Sequence, residues 1–267
     1  MDTALREIYE DNDRAIRIAD SLYIHNENEE LKIRALMLSA FAYRARGDLK
    51  RFFELSFKAE EIADKTNNNE WKIRIFGSLS SELRELGLNN QKHLLLNRMK
   101  EAILKVDDES KKNLYMSMYY QEKTFDFFGN YDKKYVWDNL KLSEKYLAKI
   151  PDGADKFFLK GINQWIYGHT LLALKESPDS ALMFTEKAED YFIQANRPDY
   201  LRGILKLNKG RSYFLKNQKG LAYESYLEAE KYIDSLESVV SKMLVYKELQ
   251  EYYISKNDTV NSFKYLT

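Results

Sequence analysis

The chain has 267 residues, and its 42 basic side chains balance its 42 acidic ones. A net charge of zero excludes the class of proteins that attract nucleic acid over their whole surface, because those carry a strong positive field. The absence of cysteine excludes disulfides and cysteine-ligated metal sites. With 44% hydrophobic residues but only 10 Gly and 3 Pro, the composition predicts a mostly helical chain with a sizeable core.

No part of the sequence has the features of a membrane span or a secretory signal. The longest stretch without a charged residue, 161–174, is shorter than the roughly 20 apolar residues that a transmembrane helix needs. The first residues lack a basic segment followed by an apolar one. The sequence leaves the compartment open between the cytoplasm and the periplasm, the latter if a signal or membrane segment has been removed.

The first element predicted along the chain is a short helix, followed by a turn at Asp11-Asn12-Asp13 and a second helix through Tyr23. This region is interpreted as a degenerate first repeat unit.

An internal repeat follows. The stretch Leu31-Lys32-Ile33-Arg34 recurs as Trp71-Lys72-Ile73-Arg74, and Arg44 and Gly47 recur as Arg84 and Gly87. A fixed period of about 40 residues indicates stacked repeats rather than one globular core. Because apolar residues recur at helical spacing on both sides of each glycine, each repeat is predicted to be a pair of antiparallel helices.

Equivalent turns continue along the chain at Gly129, Ser177-Pro178, Asn217 and Asn257. Polar connectors at 26–29, 66–69, 107–110, 151–155, 196–199 and 234–237 separate the pairs, and their Asn, Asp and Ser residues are suitable N-caps. The chain is therefore predicted to be all-α, a single helical repeat domain over 1–267. Its approximate units are 1–27, 28–68, 69–108, 109–152, 153–197, 198–236 and an incomplete 237–267.

No group of residues predicts catalysis. The three histidines, His25, His93 and His169, are far apart and share no repeat position. Paired carboxylates such as Glu60-Glu61 are typical of solvated helix faces, and no phosphate-binding loop or nucleophile motif is present. The sequence therefore predicts a protein that is not an enzyme and that uses no metal and no cofactor.

The last complete unit carries a recognisable motif. Gly210, Tyr213, Ala222, Tyr226 and Ala229 resemble the small and aromatic positions of the tetratricopeptide repeat, and Ala181 with Ala188 repeats its second half. The period is longer than the 34 residues of that repeat, and Lys92 and Lys134 replace its alanines. The resemblance implies a right-handed α-solenoid. Long-period repeats of this kind are similar to the sensory region of Bacteroidetes-type transcriptional regulators.

The resemblance also implies a binding groove. In tetratricopeptide folds the first helix of each pair lines the concave face, and 24 positions of this chain correspond to that lining. Seven of them are Lys or Arg and two are Asp or Glu, which favours an acidic segment or a C-terminal carboxylate as the ligand. The predicted contact residues are Arg34, Phe41, Arg44, Arg74, Arg84, Tyr119, Lys123, Arg211, Phe214 and Lys247. The alternative is that these arginines pair with carboxylates of neighbouring helices.

Two functions fit these observations. The first is the sensory or interaction region of a bacterial transcriptional regulator or signalling protein, with a protein or peptide as its partner and without direct contact to nucleic acid or membrane. The second is a freestanding scaffold or assembly adaptor. The chain stops early in the predicted second helix of its last unit, so we expect a longer natural protein. Homodimerisation through Val260, Phe263 and Leu266 is compatible with either function.

Overall fold

The computed structural model describes residues 11–125, 132–197, 201–234 and 239–266. Within these ranges the protein is all-α, without strands, as the sequence predicts. The thirteen helices of the described residues are α1 (Asn12–Ile24), α2 (Glu29–Ala45), α3 (Leu49–Lys65), α4 (Asn69–Glu85), α5 (Asn89–Leu104), α6 (Glu109–Thr124), α7 (Lys133–Leu147), α8 (Ala154–Ala173), α9 (Pro178–Gln194), α10 (Arg202–Leu215), α11 (Lys219–Asp234), α12 (Val239–Ile254) and α13 (Thr259–Lys264).

Short turns join the helices of each pair. Gly47 and Gly87 end α2 and α4 in the left-handed region, with φ of 82° and 71°, where glycine has no steric penalty. Asn217 and Asn257 take the same conformation after α10 and α12, with φ of 59° and 58°. These turns confirm the predicted positions, whereas the predicted turn at Gly129 lies outside the described residues.

Polar side chains cap the helices that follow several connectors. The Oδ1 atom of Asn28 accepts hydrogen bonds from the backbone N–H groups of Glu30 and Leu31 at 2.9 and 3.2 Å. Asn68 and Asp108 cap α4 and α6 in the same way. The prediction fails at the connector 151–155, because α8 begins after Gly153, which has no capping side chain.

The chain divides into two compact units. In the N-terminal unit, made of residues 11–125 and 138–150, fully buried side chains from α2, α3, α4 and α5 form one core, with Ile33, Phe52, Leu79 and Met99 at its centre. In the C-terminal unit, made of the remaining described residues, a core around Tyr226 joins α10, α11 and α12 with Tyr265, the residue after α13. Each unit is a stack of helix pairs.

Small residues let the helices of a pair approach closely. A Cβ atom on Gly210 of α10 would lie 2.4 Å from the Tyr226 ring of α11, while Ala222 and Ala229 are completely buried between the same helices. This is the packing that the repeat motif predicts, and it makes the fold a tetratricopeptide-like α-solenoid. Lys92, at a position where the motif has alanine, is fully buried.

Candidate functional site

Each unit has its own candidate surface, formed by the first helices of its pairs. These helices are α2, α4 and α6 in the N-terminal unit and α8, α10 and α12 in the C-terminal unit. Side chains link these helices directly: Arg44 of α2 reaches Glu82 of α4, and Tyr115 of α6 reaches Glu70 of α4. In the N-terminal unit the four predicted arginines lie on two adjoining first helices, α2 and α4.

Two predicted arginines of the N-terminal unit, Arg44 and Arg84, pair with carboxylates of the next first helix. The Nε atom of Arg44 donates to Glu82, whose side chain is only 7% exposed. Arg84 Nη1 lies 3.7 Å from Glu122 Oε2. These pairs correspond to the alternative interpretation of the basic positions, in which the arginines join neighbouring repeats.

Arg84 has further partners within its own unit. Its Nη2 atom donates to Glu85 at 2.8 Å and to Ser81 Oγ at 3.1 Å, and its guanidinium lies 4.4 Å from the centre of the Phe125 ring. Since its side chain is only 12% exposed, little of it is accessible to a ligand.

The C-terminal unit repeats this arrangement. The Nε and Nη2 atoms of Arg211 lie 2.8 and 2.7 Å from Glu248 Oε1, and the Tyr226 hydroxyl donates to the other carboxylate oxygen at 3.4 Å. The interval from arginine to glutamate is 37 residues here and 38 residues for Arg44 and Glu82. The partners are therefore repeat-related, and this spacing is a sequence signal that could have identified them.

Arg34 and Arg74 are arranged differently, because both guanidinium groups face one tryptophan. They lie 5.9 and 5.8 Å from the centre of the half-buried Trp71 ring, within the range of cation–π attraction. Arg34 also pairs with Glu30, one turn earlier on the same helix, at 2.6 Å, and Arg74 is exposed. We call Arg34, Trp71 and Arg74 the Trp71 cluster.

A hydrogen-bonded carboxylate adjoins the Trp71 cluster. Glu70 accepts from Lys111 Nζ at 2.7 Å and from the Tyr115 hydroxyl at 2.9 Å. Partial burial raises the pKa of Glu70, but the hydrogen bonds from Lys111 and Tyr115 and the charges of Lys111 and Arg74 outweigh it, so the pKa lies below its ordinary value. Burial is also the main cause that raises the pKa of Tyr115. The hydrogen bonds from Lys111 and Tyr115 therefore hold the Glu70 side chain in place beside the Trp71 cluster.

The predicted aromatic contacts belong mainly to the core. Tyr119 is only 6% exposed, with Lys123 Nζ 6.0 Å from its ring centre. Phe41 is partly buried, and its ring centre lies 6.3 Å from that of Phe52. Phe214 packs in the same way against the core of the C-terminal unit. These rings support the first helices and offer little free surface.

The remaining predicted residue, Lys247, is exposed on α12. The structure thus brings Arg34 and Arg74 together, places Arg44 and Arg84 in inter-repeat ion pairs, and places Arg211 and Lys247 in the other unit. Sequence reasoning missed Trp71, although that residue begins the second copy of the repeated tetrapeptide.

No metal or membrane site emerges from the part of the chain that the structure describes. Within it, no three His, Cys, Asp or Glu side chains come together in a way that could hold an ion. Within the same ranges, no helix combines the length and the apolar character that crossing a bilayer requires.

No protein-family model matches the chain, and no curated protein sequence matches it. One solved structure that aligns with it is a signal transduction ATPase with numerous domains (STAND) protein with a tetratricopeptide repeat sensor, from Pyrococcus horikoshii. The alignment has a TM-score of 0.49 and 19% sequence identity, and it covers 95% of this chain and 38% of that protein. The chain thus spans well under half the length of that protein.

Proposed function

We propose that this chain is a non-catalytic repeat domain that binds an acidic protein segment, as the sensory or interaction region of a bacterial regulator or signalling protein. The observation that carries the proposal is the Trp71 cluster. Two guanidinium groups and an aromatic face lie on adjoining first helices, which is the surface that stacked repeats offer to a partner. Trp and Arg are also the residues enriched at the energetic centres of protein interfaces.

The charges around the cluster define the ligand. Arg74 is exposed, and Arg34 is half-exposed with Glu30 of its own helix at 2.6 Å. The neighbouring Glu70 already accepts hydrogen bonds from Lys111 and Tyr115. A ligand carboxylate can therefore receive bidentate hydrogen bonds from a guanidinium. The half-buried Trp71 ring offers an apolar contact beside these charges.

Arg44, Arg84 and Arg211 have a different role in this proposal. Their carboxylate partners, Glu82, Glu122 and Glu248, lie on the next first helix, whereas the partner of Arg34 lies on its own helix. These three arginines therefore stabilise the stacking of repeats and contribute little to ligand attraction. The predicted contact set is thereby divided into ligand-binding and repeat-joining arginines.

Fluorescence anisotropy with a labelled Glu-rich decapeptide tests the proposal. We expect the double variant R34Q/R74Q to bind this peptide about tenfold more weakly than the unmodified chain, since each lost charged contact at a partly exposed site is worth up to about 1 kcal/mol. Arg51→Gln is the matched control. Arg51 is also an exposed arginine, its Nη1 atom lies 3.3 Å from Glu54 Oε2 one turn away, and it lies on α3, the second helix of its pair.

Tryptophan fluorescence locates the ligand. The chain has three tryptophans, so a change in emission on peptide addition that disappears in W71F, while anisotropy still reports binding, assigns the contact to Trp71. Equal affinities for R34Q/R74Q and R51Q, or equal binding of a decapeptide with Gln at every Glu position, would show that the Trp71 cluster is not the binding surface.

A further inference from the structure

A cleft lies in the C-terminal unit, between the two helices of one pair. It is a cleft of about 440 Å³ between α8 and α9, a volume within the usual range for ligand sites. Four of its seven lining residues are amides or aromatics and three are charged: Phe157, Lys160, Gln164, Lys187, Asp190, Tyr191 and Gln194.

Close helix packing fixes the shape of this cleft. A Cβ atom on Gly161 would lie 2.6 Å from the Phe192 ring, so α8 and α9 are in near contact beside the cleft. The adjacent residues Lys160 and Tyr191 are therefore held at its rim. The rings of Phe157 and Tyr191 lie nearly parallel, with centres 6.3 Å apart and an interplanar angle of 15°, and they form an aromatic wall.

The lining of the cleft carries two lysines and one carboxylate, Asp190. Lys160 Nζ lies 5.7 and 5.5 Å from the centres of the Phe157 and Tyr191 rings. Neither Lys160 nor Lys187 forms an ion pair with any residue in the described ranges. An ammonium group held over two ring faces remains able to donate to an incoming anion.

The next helix pair, α10 and α11, contains a lysine whose charge is neutralised by a glutamate. Lys206 of α10 pairs with Glu228 of α11 at 2.7 Å. The hydrogen bond to Glu228 is the main cause that raises the pKa of Lys206 above its ordinary value. In the α8–α9 cleft, by contrast, the one carboxylate of the lining, Asp190, forms no ion pair with Lys160 or Lys187 in the described ranges, and two glutamines lie beside these lysines.

We propose that the α8–α9 cleft binds an extended peptide segment that carries a carboxylate. The carboxylate receives hydrogen bonds from Lys160 and Lys187, and the amides of Gln164 and Gln194 satisfy polar groups of the peptide backbone. The cleft also contains the acidic side chain of Asp190, which disfavours a nucleic-acid chain with its continuous phosphates. This site is separate from the Trp71 cluster and does not depend on it.

The test uses the full chain with the first site disabled. In the R34Q/R74Q background, anisotropy is measured with the labelled Glu-rich decapeptide and with its Gln-substituted counterpart. We expect the background protein to bind the Glu-rich peptide preferentially, and K160Q/K187Q added to it to weaken binding about tenfold. Lys206→Gln in the same background is the matched control, and we expect it to change affinity by less than about twofold because Glu228 already neutralises this lysine.

Two results would overturn this proposal. One is a background protein that no longer binds the Glu-rich peptide, which would leave the Trp71 cluster as the acceptor. The other is unchanged affinity in K160Q/K187Q. A single exposed substitution, Lys187→Glu, guards against a folding artefact: with unaltered circular dichroism, it should weaken binding more than Lys187→Gln does.

Discussion

The ion pair between Arg44 and Glu82 allows the two roles of the first-helix arginines to be separated. The substitution Arg44→Gln removes the cation and leaves a carboxylate that is only 7% exposed, whereas the arginine itself is 43% exposed. Loss of one partner costs about 3–5 kcal/mol in buried pairs and about 0.2–1 kcal/mol in exposed ones. This pair has one buried and one exposed partner, so we expect R44Q to lower the free energy of unfolding by about 2 kcal/mol.

The burial difference also predicts an asymmetry. Glu82→Gln leaves behind an arginine that water can solvate, so it should cost less than R44Q. The double variant R44Q/E82Q should cost less than the sum of the two single variants, because contacting residues are coupled.

Urea denaturation and thermal melting measure these differences. A loss of about 2 kcal/mol corresponds to about 4–8 °C in Tm for a chain of this size. R51Q is the control, since Arg51 and Glu54 are 59% and 47% exposed and their separation should cost less than about 1 kcal/mol.

The peptide assay completes the comparison. R44Q should bind the Glu-rich decapeptide as the unmodified chain does. If R44Q melts like R51Q but loses peptide affinity, then Arg44 contacts the ligand and the division between repeat-joining and ligand-binding arginines is wrong.

Three further predictions concern packing, pH and association. Gly210→Ala should lower Tm by several degrees, because its Cβ would lie 2.4 Å from the Tyr226 ring and overpacking costs about 1–3 kcal/mol. Gly220→Ala is the control and should not lower Tm, since no atom lies within 4 Å of the new Cβ. Equal Tm values for the two variants would contradict the packing argument. The lowered pKa of Glu70 makes this carboxylate stabilising above its unfolded-state pKa, and the contribution is lost as pH falls through the folded-state value. The difference in the free energy of unfolding between the unmodified chain and E70Q, measured by urea denaturation, should therefore shrink below about pH 4.5. A difference that stays constant with pH would refute this role of Glu70. Val260 and Phe263 are 80% and 69% exposed, so we expect concentration-dependent self-association that V260S/F263S reduces, measured by light scattering after size exclusion; a monomer at all concentrations would argue against this interface.

Local rules of the sequence determined most of the fold. A period of about 40 residues, with glycine or asparagine at the end of most first helices, predicts helix pairs because few other residues take a positive φ without cost. Gly47, Gly87, Asn217 and Asn257 all have this conformation. The motif around Gly210 likewise predicts the close approach of α10 and α11, since spacing within a helix determines which side chains share a face.

The sequence did not determine which charged residues are paired. Arg34 and Arg44 lie on the same helix, and in sequence they are equivalent candidates for ligand binding. Only the packing of α2 against α4 places Arg44 at Glu82 and Arg34 at Trp71. The spacing of 37 or 38 residues indicates which residues are repeat-related. Whether two such residues come into contact depends on how the pairs stack.

The α8–α9 cleft depends on tertiary structure for the same reason. Lys160 and Lys206 both lie on first helices, yet only Lys206 has a glutamate opposite it. Whether a lysine is neutralised depends on the side chain that the neighbouring helix presents at the same height. The sequence by itself determined the helices, their turns and their pairing. The tertiary structure decided which charges cancel inside the protein and which remain available to a partner, because ion pairing depends on distances between residues that are remote in the chain.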